Sequence, residues 1–500
     1  MLNLYENPNG WYAANQSLNS ELSLTYLRNY CKVISLLLVL LISANIIRTR
    51  ESIALVKLSG LKRWTFVKQT KVNQLKTAIG QEVRIKGWVN TVRNQKTMQF
   101  VIVRDETGVI QLTNSRKDNP ELAEVISKLT SESVIEVIGE VVANESVNVG
   151  GLEIYPKIIT VLSLADPNLP VDKDSSLSVR QDWRFIDLRR PENHLIFQIQ
   201  TTAEHAMREF WIRNGFIEMH SPKLMGSASE SGAELFSLKY FDTTAHLAQS
   251  PQFYKQMAMA AGFNRVFEVG PVFRANPSFT SRHDTEFTSV DVEISWIDSH
   301  QEIMEFEEQW LHYVLKTVQE KHGASIKETF AVDVVVPDLP FPRISMEEAY
   351  RLIEENGYAL PEAKGDLDPE GERIVARHIL ERYSHEFVFV TDYPVSVRPF
   401  YHMRHVDRPH LTKSYDLLWK GVELTTGAQR EHRYAILAKQ AEEKGLSLKG
   451  IEFYLDFFKY GCPPHGGFGF GLTRMMMMLL GVSNVREVTY LYRGPNRITP

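Results

Sequence analysis

The chain has 500 residues, of which 43% are hydrophobic, 10% aromatic and 23% charged. At roughly 150 residues per domain this length predicts about three domains, and the composition excludes disordered, collagen-like and coiled-coil chains. Lysine and arginine total 56 and aspartate and glutamate 61, which gives a formal net charge of −5. A polyanionic partner must therefore meet local basic patches. Two cysteines, Cys31 and Cys462, exclude a disulfide framework and a cysteine-rich zinc site, and they indicate a reducing compartment.

Residues 1–70 form an atypical N-terminal extension. Its segment 33–47 is uncharged and almost wholly apolar, with basic residues on both flanks. As a helix this segment would rise about 22 Å, less than the roughly 30 Å of a hydrocarbon core. Two interpretations stay open: a buried or untranslated leader, and a membrane anchor whose basic C-terminal flank stays in the cytoplasm. Residues 48–66 resemble the juxtamembrane segment of FtsX-like or bacteriocin-associated permeases.

Short segments rich in β-branched residues follow from Val83 onward, bounded by turn residues. One helical pattern, Pro120–Thr130, stands between the third and the fourth of these five predicted strands. The order predicts a small OB-type barrel over residues 71–163, a common oligonucleotide-binding fold. The polar, proline-bearing stretch after it predicts a linker over residues 164–183.

Residues 184–500 show a mixed pattern. Apolar residues recur at helical spacing in His194–Asn214 and Gln301–His322, and Ser345 to Glu348 forms a capping-box pattern before a third helix. Apolar strand segments outnumber the helices that could connect parallel strands. We therefore expect an α+β domain with an antiparallel sheet flanked by helices.

Charged residues are embedded in the apolar segment 269–296, which reads as a hairpin-like unit. Arg274, Arg282 and His283 lie here together with acidic residues. Burying a charge costs several kcal/mol unless a partner meets it. Two arginines that close on a phosphate would satisfy this requirement, and structural pairs between arginine and glutamate are the alternative.

Two further clusters carry chemistry near the C-terminus. Asp416 and Glu423 stand seven residues apart across a turn at Lys420 and Gly421. On paired strands their carboxylates could converge on Mg²⁺, although solvated surface acids give the same pattern. In residues 461–481 several glycines allow close approach of a flat ligand, and Arg474 follows at the start of an apolar helix.

Together these clusters resemble motifs 2 and 3 and the metal-binding strand of class II aminoacyl-tRNA synthetases, and most nearly the aspartyl-tRNA synthetases of the archaeal and eukaryotic type. The resemblance runs from about residue 72 to Pro500. It rests on seven ordered motifs: RFIDLRRP (184–191), SASESGAELF (227–236), LAQSPQFYKQ (247–256), EVGPVFRA (268–275), TEFTSVDVE (285–293), GAQR (427–430) and CPPHGGFGFGLTR (462–474).

The resemblance implies a two-step ligation of L-aspartate to tRNA, with ATP as a substrate and Mg²⁺ as the cofactor. It implies Arg274 and Arg474 as catalytic residues, and Asp416 and Glu423 as metal ligands. The implied ATP-binding residues are Arg274, Arg282, His283, Phe287, Glu423 and Arg474. The implied aspartate-binding residues are Glu230, Gln252, Lys255, Asp291, Thr426 and Arg430. In the barrel, the implied anticodon-binding residues are Phe100, Gln111 and Glu153.

Aspartate differs from asparagine by one charged oxygen, so two cations aimed at the side-chain carboxylate would discriminate between them. The resemblance gives this role to Lys255 and Arg430. The identification therefore requires both cations to lie in one pocket. A lysine in the motif QSPQFYKQ also separates the chain from asparaginyl-tRNA synthetases.

The resemblance also implies a homodimer, through motif 1 around Pro222, and a cytoplasmic location. It leaves two acceptor ranges open, tRNA(Asp) alone or tRNA(Asp) together with tRNA(Asn), because Asn90 replaces a tryptophan frequent in enzymes that read only the aspartate anticodon. Asn276 and Thr473 stand where motifs 2 and 3 usually carry glutamate. These departures motivate an alternative, a catalytically weak paralogue with a tRNA-binding or regulatory role. An asparagine-forming relative is a further alternative, but those relatives lack the barrel.

Overall fold

The computed structural model describes residues 69–227, 234–277, 280–359 and 365–500. The chain divides into two compact units, of which the first ends at Ala165 and the second begins at Asp166. The apolar segment 33–47 lies outside the described residues, so both interpretations of it stay predictions. Among the helices that are described, none combines the length and the apolar character that crossing a membrane requires.

The first unit is a closed barrel of five strands in the order β1-β2-β3-β5-β4. Its elements follow a 3-10 helix at Val72–Ala78 and are β1 (Glu82–Asn94), β2 (Met98–Asp105), β3 (Gly108–Ser115), α1 (Pro120–Ser127), β4 (Val134–Ala143) and β5 (Leu152–Ser163). Neighbouring strands are antiparallel except β3 and β5, which are parallel. The predicted five-stranded barrel with one helix after the third strand is confirmed.

The barrel core follows from the alternation of side chains along each strand. In β2 the buried residues Val101 and Val103 alternate with partly exposed ones, and Ile135 and Val137 do the same in β4. Because successive side chains of a strand point to opposite faces, one apolar residue in two suffices to fill the interior. The outward positions of β2, β3 and β5 stay available for polar and aromatic side chains.

The second unit combines an eight-stranded sheet, a three-stranded sheet and flanking helices. Its strands are β6 (Ile217–Glu218), β7 (Leu224–Met225), β8 (Ser237–Tyr240), β9 (Thr243–Leu247), β10 (Arg265–Phe273), β11 (Glu286–Ser295), β12 (Arg343–Ser345), β13 (Phe387–Thr391), β14 (Ser414–Trp419), β15 (Val422–Arg430) and β16 (His465–Gly471). Its helices are α2 (Leu177–Asp182), α3 (Arg184–Asp187), α4 (Pro191–Arg213), α5 (Gln252–Ala260), α6 (His300–Phe330), α7 (Met346–Glu355), α8 (Pro369–Tyr383), α9 (Tyr434–Glu443), α10 (Glu452–Lys459), α11 (Leu472–Leu480) and α12 (Val485–Val488), with a 3-10 helix at Leu448–Ile451.

The large sheet has the order β12-β13-β14-β15-β16-β11-β10-β6. Its central pairs are antiparallel, whereas the outer pairs β12–β13 and β6–β10 are parallel. The predicted antiparallel sheet flanked by helices is thus confirmed. Antiparallel order lets the middle strands, which lie far apart in the sequence, become direct neighbours.

The long helix α6 lies against β15 and β16 and packs on α4. Trp310 of α6 stacks on Trp211 of α4 with ring centroids 5.0 Å apart, and it meets Phe468 and Phe470 of β16. Helix α6 continues eight residues beyond the predicted end at His322, because the buried Ile326 adds a further turn of core contact. The capping box predicted at Ser345 and Glu348 is confirmed at the start of α7.

Replacing Trp310 by alanine should lower the free energy of unfolding by about 3–5 kcal/mol, because a fully buried aromatic side chain leaves a cavity. Tyr460, which is 85% exposed, provides the control, since its replacement by alanine should change stability by about 0.5 kcal/mol or less. Urea unfolding followed by circular dichroism measures both. Equal losses for the two variants would contradict this packing.

Candidate active site

A cavity of about 330 Å³ opens over the middle of the large sheet. Its wall gathers side chains from segments up to 240 residues apart in the sequence, because antiparallel pairing brings β10, β11, β15 and β16 together. Ten of the residues predicted from the sequence line it: Gln252, Arg274, Arg282, His283, Phe287, Asp291, Glu423, Thr426, Arg430 and Arg474. Glu230 lies outside the described residues, so its predicted role stays a prediction.

The floor of the cavity is formed by β16 and β11. In β16 the phenylalanines Phe468 and Phe470 point into the core, and glycines occupy the alternate positions. A Cβ added at Gly467 would lie 2.5 Å from Oε2 of Glu293, and one at Gly469 would lie 3.2 Å from Oδ1 of Asp291. The glycines therefore give two acidic side chains of β11 the room that they need above the sheet.

Lys255 and Arg430 lie within one buried ion-pair network. Nζ of Lys255 lies 2.9 Å from Oδ1 of Asp291 and 3.4 Å from Oε2 of Glu293. Nε of Arg430 lies 3.1 Å from Oε1 of the same Glu293. The structure therefore brings the two predicted cations together on a shared carboxylate, although they come from a helix and from the end of a distant strand.

Each cation has further hydrogen-bond acceptors. Lys255 donates to the carbonyl oxygen of Phe468 at 3.0 Å, and Arg430 donates to that of Gly467 at 3.0 Å. An unpaired buried charge costs several kcal/mol, so this complete set of partners is what permits two cations beneath the cavity. Glu293 was missed by the sequence analysis, although its position two residues after Asp291 on one strand places both on the same face.

His402 is a second residue that the sequence analysis missed. Nη1 of Arg430 donates to Nε2 of His402 at 2.8 Å, so the imidazole proton belongs on Nδ1. Burial, reinforced by the charge of Arg430, holds the pKa of His402 well below its usual value. The neutral ring thus accepts from the guanidinium without adding a further positive charge. No pattern around His402 marks it in the sequence.

Gln252 is oriented by a chain of buried polar groups. Its Nε2 donates to Oε1 of Gln256 at 2.9 Å, and Nε2 of Gln256 donates to Nε2 of His465 at 3.0 Å. The other ring nitrogen of His465 donates to the carbonyl oxygen of Pro463 at 2.8 Å. Burial lowers the pKa of His465 to about 4, so its ring stays neutral and keeps its acceptor nitrogen near neutral pH.

Three arginines line the other end of the cavity. The guanidinium of Arg274 lies 5.5 Å from the ring centroid of Phe287, and Arg474 donates to the carbonyl oxygen of Glu423 at 2.9 Å. Arg282 forms an ion pair of 2.9 Å with Glu372 of α8. Both interpretations of Arg282 are therefore compatible with its position, since a paired arginine at a cavity wall can still exchange its partner for a phosphate.

His283 stands beside these arginines. Burial and the charge of Arg474 lower its pKa below the usual value, and its Nδ1 lies 2.5 Å from Oγ1 of Thr280. A neutral imidazole at this place can donate or accept one hydrogen bond at the cavity wall. The arrangement of three guanidiniums, an aromatic face and an imidazole suits a phosphate attached to a flat ring system.

Asp416 and Glu423 lie on the hairpin of β14 and β15, whose two-residue turn at Lys420 and Gly421 has φ values of 51° and 78°. Two positive φ values are typical of the tight turn that joins such strands. Asp416 lies behind the cavity wall, where its Oδ2 accepts from Arg398 at 2.6 Å. Burial raises its pKa to about 6, and the charge of Glu423 acts in the same direction.

Within the ranges that the structure covers, no group of three or more histidine, cysteine, aspartate or glutamate side chains is arranged as a metal site. Two carboxylates suffice for Mg²⁺, however, because it usually keeps several waters and takes further oxygens from substrate phosphates. Oδ1 of Asp416 is buried and has no hydrogen-bond partner among the described residues. This oxygen, together with the cavity-facing Glu423, fits the predicted donor set.

The three residues predicted for the barrel lie on its outer face around a buried carboxylate. Glu153 of β5 pairs with Gln111 of β3, whose Nε2 donates to Glu153 at 3.3 Å. Phe100 pairs with Thr113, which also donates to Glu153. Burial raises the pKa of Glu153, but the donated hydrogen bonds outweigh burial, so the pKa lies below its usual value. An anionic acceptor therefore stands beside an aromatic ring and an amide.

Two family models match the chain. The model described as tRNA synthetases class II (D, K and N) matches residues 176–493, and the model described as OB-fold nucleic acid binding domain matches residues 83–162. Both matches agree with the resemblance drawn from the seven motifs. The predicted similarity of residues 48–66 to permeases lies outside both matches and stays a prediction.

Curated relatives cover most of the chain. The aspartate–tRNA(Asp/Asn) ligase of Methanopyrus kandleri is 46% identical over 428 residues, which are 84% of this chain and 96% of the relative. The aspartate–tRNA(Asp) ligase of Pyrococcus abyssi is 42% identical over 426 residues, which are 84% of this chain and 97% of the relative. The relatives thus include proteins named for one acceptor and proteins named for two.

Solved structures share the fold. An asparaginyl-tRNA synthetase from Pyrococcus horikoshii complexed with asparaginyl-adenylate has a TM-score of 0.81 and 31% identity, over 87% of this chain and 100% of that one. The aspartyl tRNA synthetase from Entamoeba histolytica has a TM-score of 0.78 and 30% identity, over 87% and 94% of the two chains. The motifs, the sheet and these matches lead to one conclusion: the chain belongs to the class II tRNA synthetases of the D, K and N group.

Proposed function

We propose that the protein ligates L-aspartate to tRNA(Asp) in two steps, through an aspartyl-adenylate formed from ATP. The observation that carries this proposal is the convergence on Glu293 of two cations, Lys255, which lies beneath the cavity, and Arg430, which lines it. Two buried cations at one place favour a ligand that brings a carboxylate. An asparagine side chain brings an amide, which would leave both cations without that charge.

In the first step an oxygen of the α-carboxylate of aspartate attacks the α-phosphorus of ATP, and pyrophosphate leaves. The attacking carboxylate is already anionic at neutral pH, so the step needs no general base. Catalysis then consists of positioning and of stabilising charge on the phosphates. Arg274 takes the α-phosphate and Arg474 the γ-phosphate, while Phe287 stacks on the adenine and His283 lies beside the phosphates.

Asp416 and Glu423 would hold Mg²⁺, which supplies positive charge to the phosphate oxygens when it is bound. Arg282, released from Glu372, adds a further cation at the phosphates. Burial raises the pKa of Glu372 to about 7, so this acid can accept a proton when its arginine leaves. The exchange of one partner for another therefore leaves no unpaired buried charge.

The amino acid is held at both of its ends. Asp291 and Glu230 bind the α-ammonium group, and Gln252 and Thr426 make lesser contacts. Lys255 and Arg430 bind the side-chain carboxylate. In the second step a hydroxyl of the terminal ribose of tRNA attacks the carbonyl carbon of the adenylate, and AMP leaves. This completes the transfer of the aspartyl group.

The barrel binds the anticodon, with Phe100 stacking on a base and Gln111 and Glu153 forming hydrogen bonds. Asn90 accepts a hydrogen bond from Nη1 of Arg104 at 3.1 Å, and Arg104 also pairs with Glu132. A small polar side chain therefore stands where a bulky indole would narrow the choice of base. This favours the wider acceptor range, tRNA(Asp) together with tRNA(Asn).

Replacing Arg430 by leucine should lower kcat/KM for aspartate in pyrophosphate exchange by at least about a hundredfold, because the substrate carboxylate loses its charged partner. ATP binding should stay measurable, since the phosphate arginines are untouched. Arg351, whose side chain is 66% exposed, provides the control, and its leucine variant should retain full exchange. Aspartate-dependent exchange that survives in the Arg430 variant would contradict the assignment.

Replacing Glu153 by glutamine should raise KM for tRNA about tenfold and leave aspartate-dependent exchange unchanged, because only the barrel loses its anionic acceptor. The exposed Glu140 of β4 provides the control. Aminoacylation of tRNA(Asp) and tRNA(Asn) by the full-length chain measures KM for tRNA, and pyrophosphate exchange measures the first step. Charging of either acceptor excludes the alternative of a tRNA-binding or regulatory paralogue, and charging of both establishes the wider range.

We further propose a homodimer through the segment around Pro222 and a cytoplasmic location, with membrane contact if residues 1–70 form an anchor. Light scattering at micromolar concentration should give twice the chain mass, and a monomer would contradict the dimer. High-speed centrifugation of a lysate should place an anchored chain with the membranes. Full-length protein in the supernatant would exclude the anchor.

A further inference from the structure

Asp284 occupies the partition between two cavities. It lines the cavity described above, and it also lines a second cavity of about 420 Å³ beside β10 and α11. Phe287 and Thr473 are the other residues that face both spaces. Asp284 therefore forms part of the wall at which the nucleotide is proposed to bind.

The side chain of Asp284 is 7% exposed, and neither carboxylate oxygen has a hydrogen-bond partner among the residues described. The hydroxyl of Thr489, which approaches it, donates its hydrogen to the carbonyl oxygen of Val485 at 2.8 Å. Buried carboxyl groups in proteins usually accept several hydrogen bonds. A buried carboxylate without them needs another source of stabilisation.

That source is positive charge from two helices. The guanidiniums of Arg474, at the start of α11, and Arg486, on α12, both act on Asp284 and favour its ionised form. Thr473 precedes Arg474 and faces the same two cavities. Position 473 is also where the family resemblance predicts a glutamate. Position 473 therefore lacks a carboxylate, and Asp284, which lines the same two cavities, provides one.

We propose that Asp284 is a positioning residue that supplies the negative charge absent from position 473 and, through Arg474, sets the affinity of the site for ATP. The inference rests on the proposed assignment of Arg474 to the triphosphate. An arginine with no counter-charge behind it can turn toward other acceptors, such as Glu423 at 3.6 Å. The carboxylate of Asp284 also attracts this guanidinium, and the competing attraction keeps Arg474 available to a phosphate.

The protonation of Asp284 makes its effect on Arg474 depend on pH. Burial raises the pKa of Asp284 to about 7, although Arg474 and Arg486 act in the opposite direction. The carboxylate is therefore mostly protonated at pH 6 and mostly ionised at pH 8. Because positioning needs the charge, the contribution of Asp284 should lower KM for ATP as the pH rises across this range. Glu372 titrates in the same range, so this contribution is measured as the difference between the unmodified chain and Asp284→Asn. Burial lowers the pKa of the neighbouring His283, which titrates at lower pH.

Pyrophosphate exchange by the full-length chain provides the test. Asp284→Asn and Asp284→Leu should raise KM for ATP about tenfold at pH 8 and leave KM for aspartate unchanged, because the two subsites use different cations. The difference in KM for ATP between Asp284→Asn and the unmodified chain should shrink at pH 6, because Asp284 of the unmodified chain is itself mostly protonated there. Glu286→Gln, a change of the exposed acid two residues away, should leave both constants unchanged.

Moving the charge distinguishes positioning from simple packing. The double variant Asp284→Leu with Thr473→Glu should return KM for ATP to within about threefold of the unmodified chain, since the carboxylate again stands beside Arg474. An unchanged KM in Asp284→Asn, or a double variant no better than Asp284→Leu, would overturn the inference. Absence of exchange in the unmodified chain would instead contradict the proposed function.

Discussion

The arrangement of the site depends on two buried positive charges at the cavity. Lys255 and Arg430 are both nearly inaccessible to solvent, and an isolated charge at such a place would cost several kcal/mol. Glu293 on β11 pairs with both cations and Asp291 with Lys255, and the glycines of β16 leave the space that these acids need. The need to pair these buried charges thus fixes four elements relative to one another: helix α5, which carries Lys255, and the strands β11, β15 and β16.

The same principle governs the opposite end of the cavity, which is the proposed phosphate end. Arg282 faces Glu372, Arg398 faces Asp416 and Arg474 faces Glu423. Burial raises the pKa of Glu372 to about 7 and that of Asp416 to about 6, so these acids can take up a proton close to neutral pH. The arginines can therefore exchange these acids for a ligand that stays negatively charged at neutral pH. The proposed amino-acid end is therefore fixed in advance, whereas the proposed nucleotide end can rearrange its ion pairs.

Several features could be predicted because they depend on local pattern. The barrel, the order of its helix and strands, the capping box at Ser345 and the hairpin of β14 and β15 follow from alternation and turn residues alone. The site residues came instead from the resemblance to a family, since spacing by itself left each cluster with a structural alternative. Glu293 and His402 were missed, because each acts through a cation that is distant in the sequence.

The sequence by itself determined which segments become strands and helices, because side-chain alternation and helical spacing are properties of neighbouring residues. It also determined, through its motifs, the family to which the chain belongs. Only the tertiary structure decided which charges share a partner. Lys255 and Arg430 are 175 positions apart in the chain, and their common carboxylate arises from the antiparallel order of β15, β16 and β11. Long-range pairing of strands sets such contacts, and no local pattern encodes them.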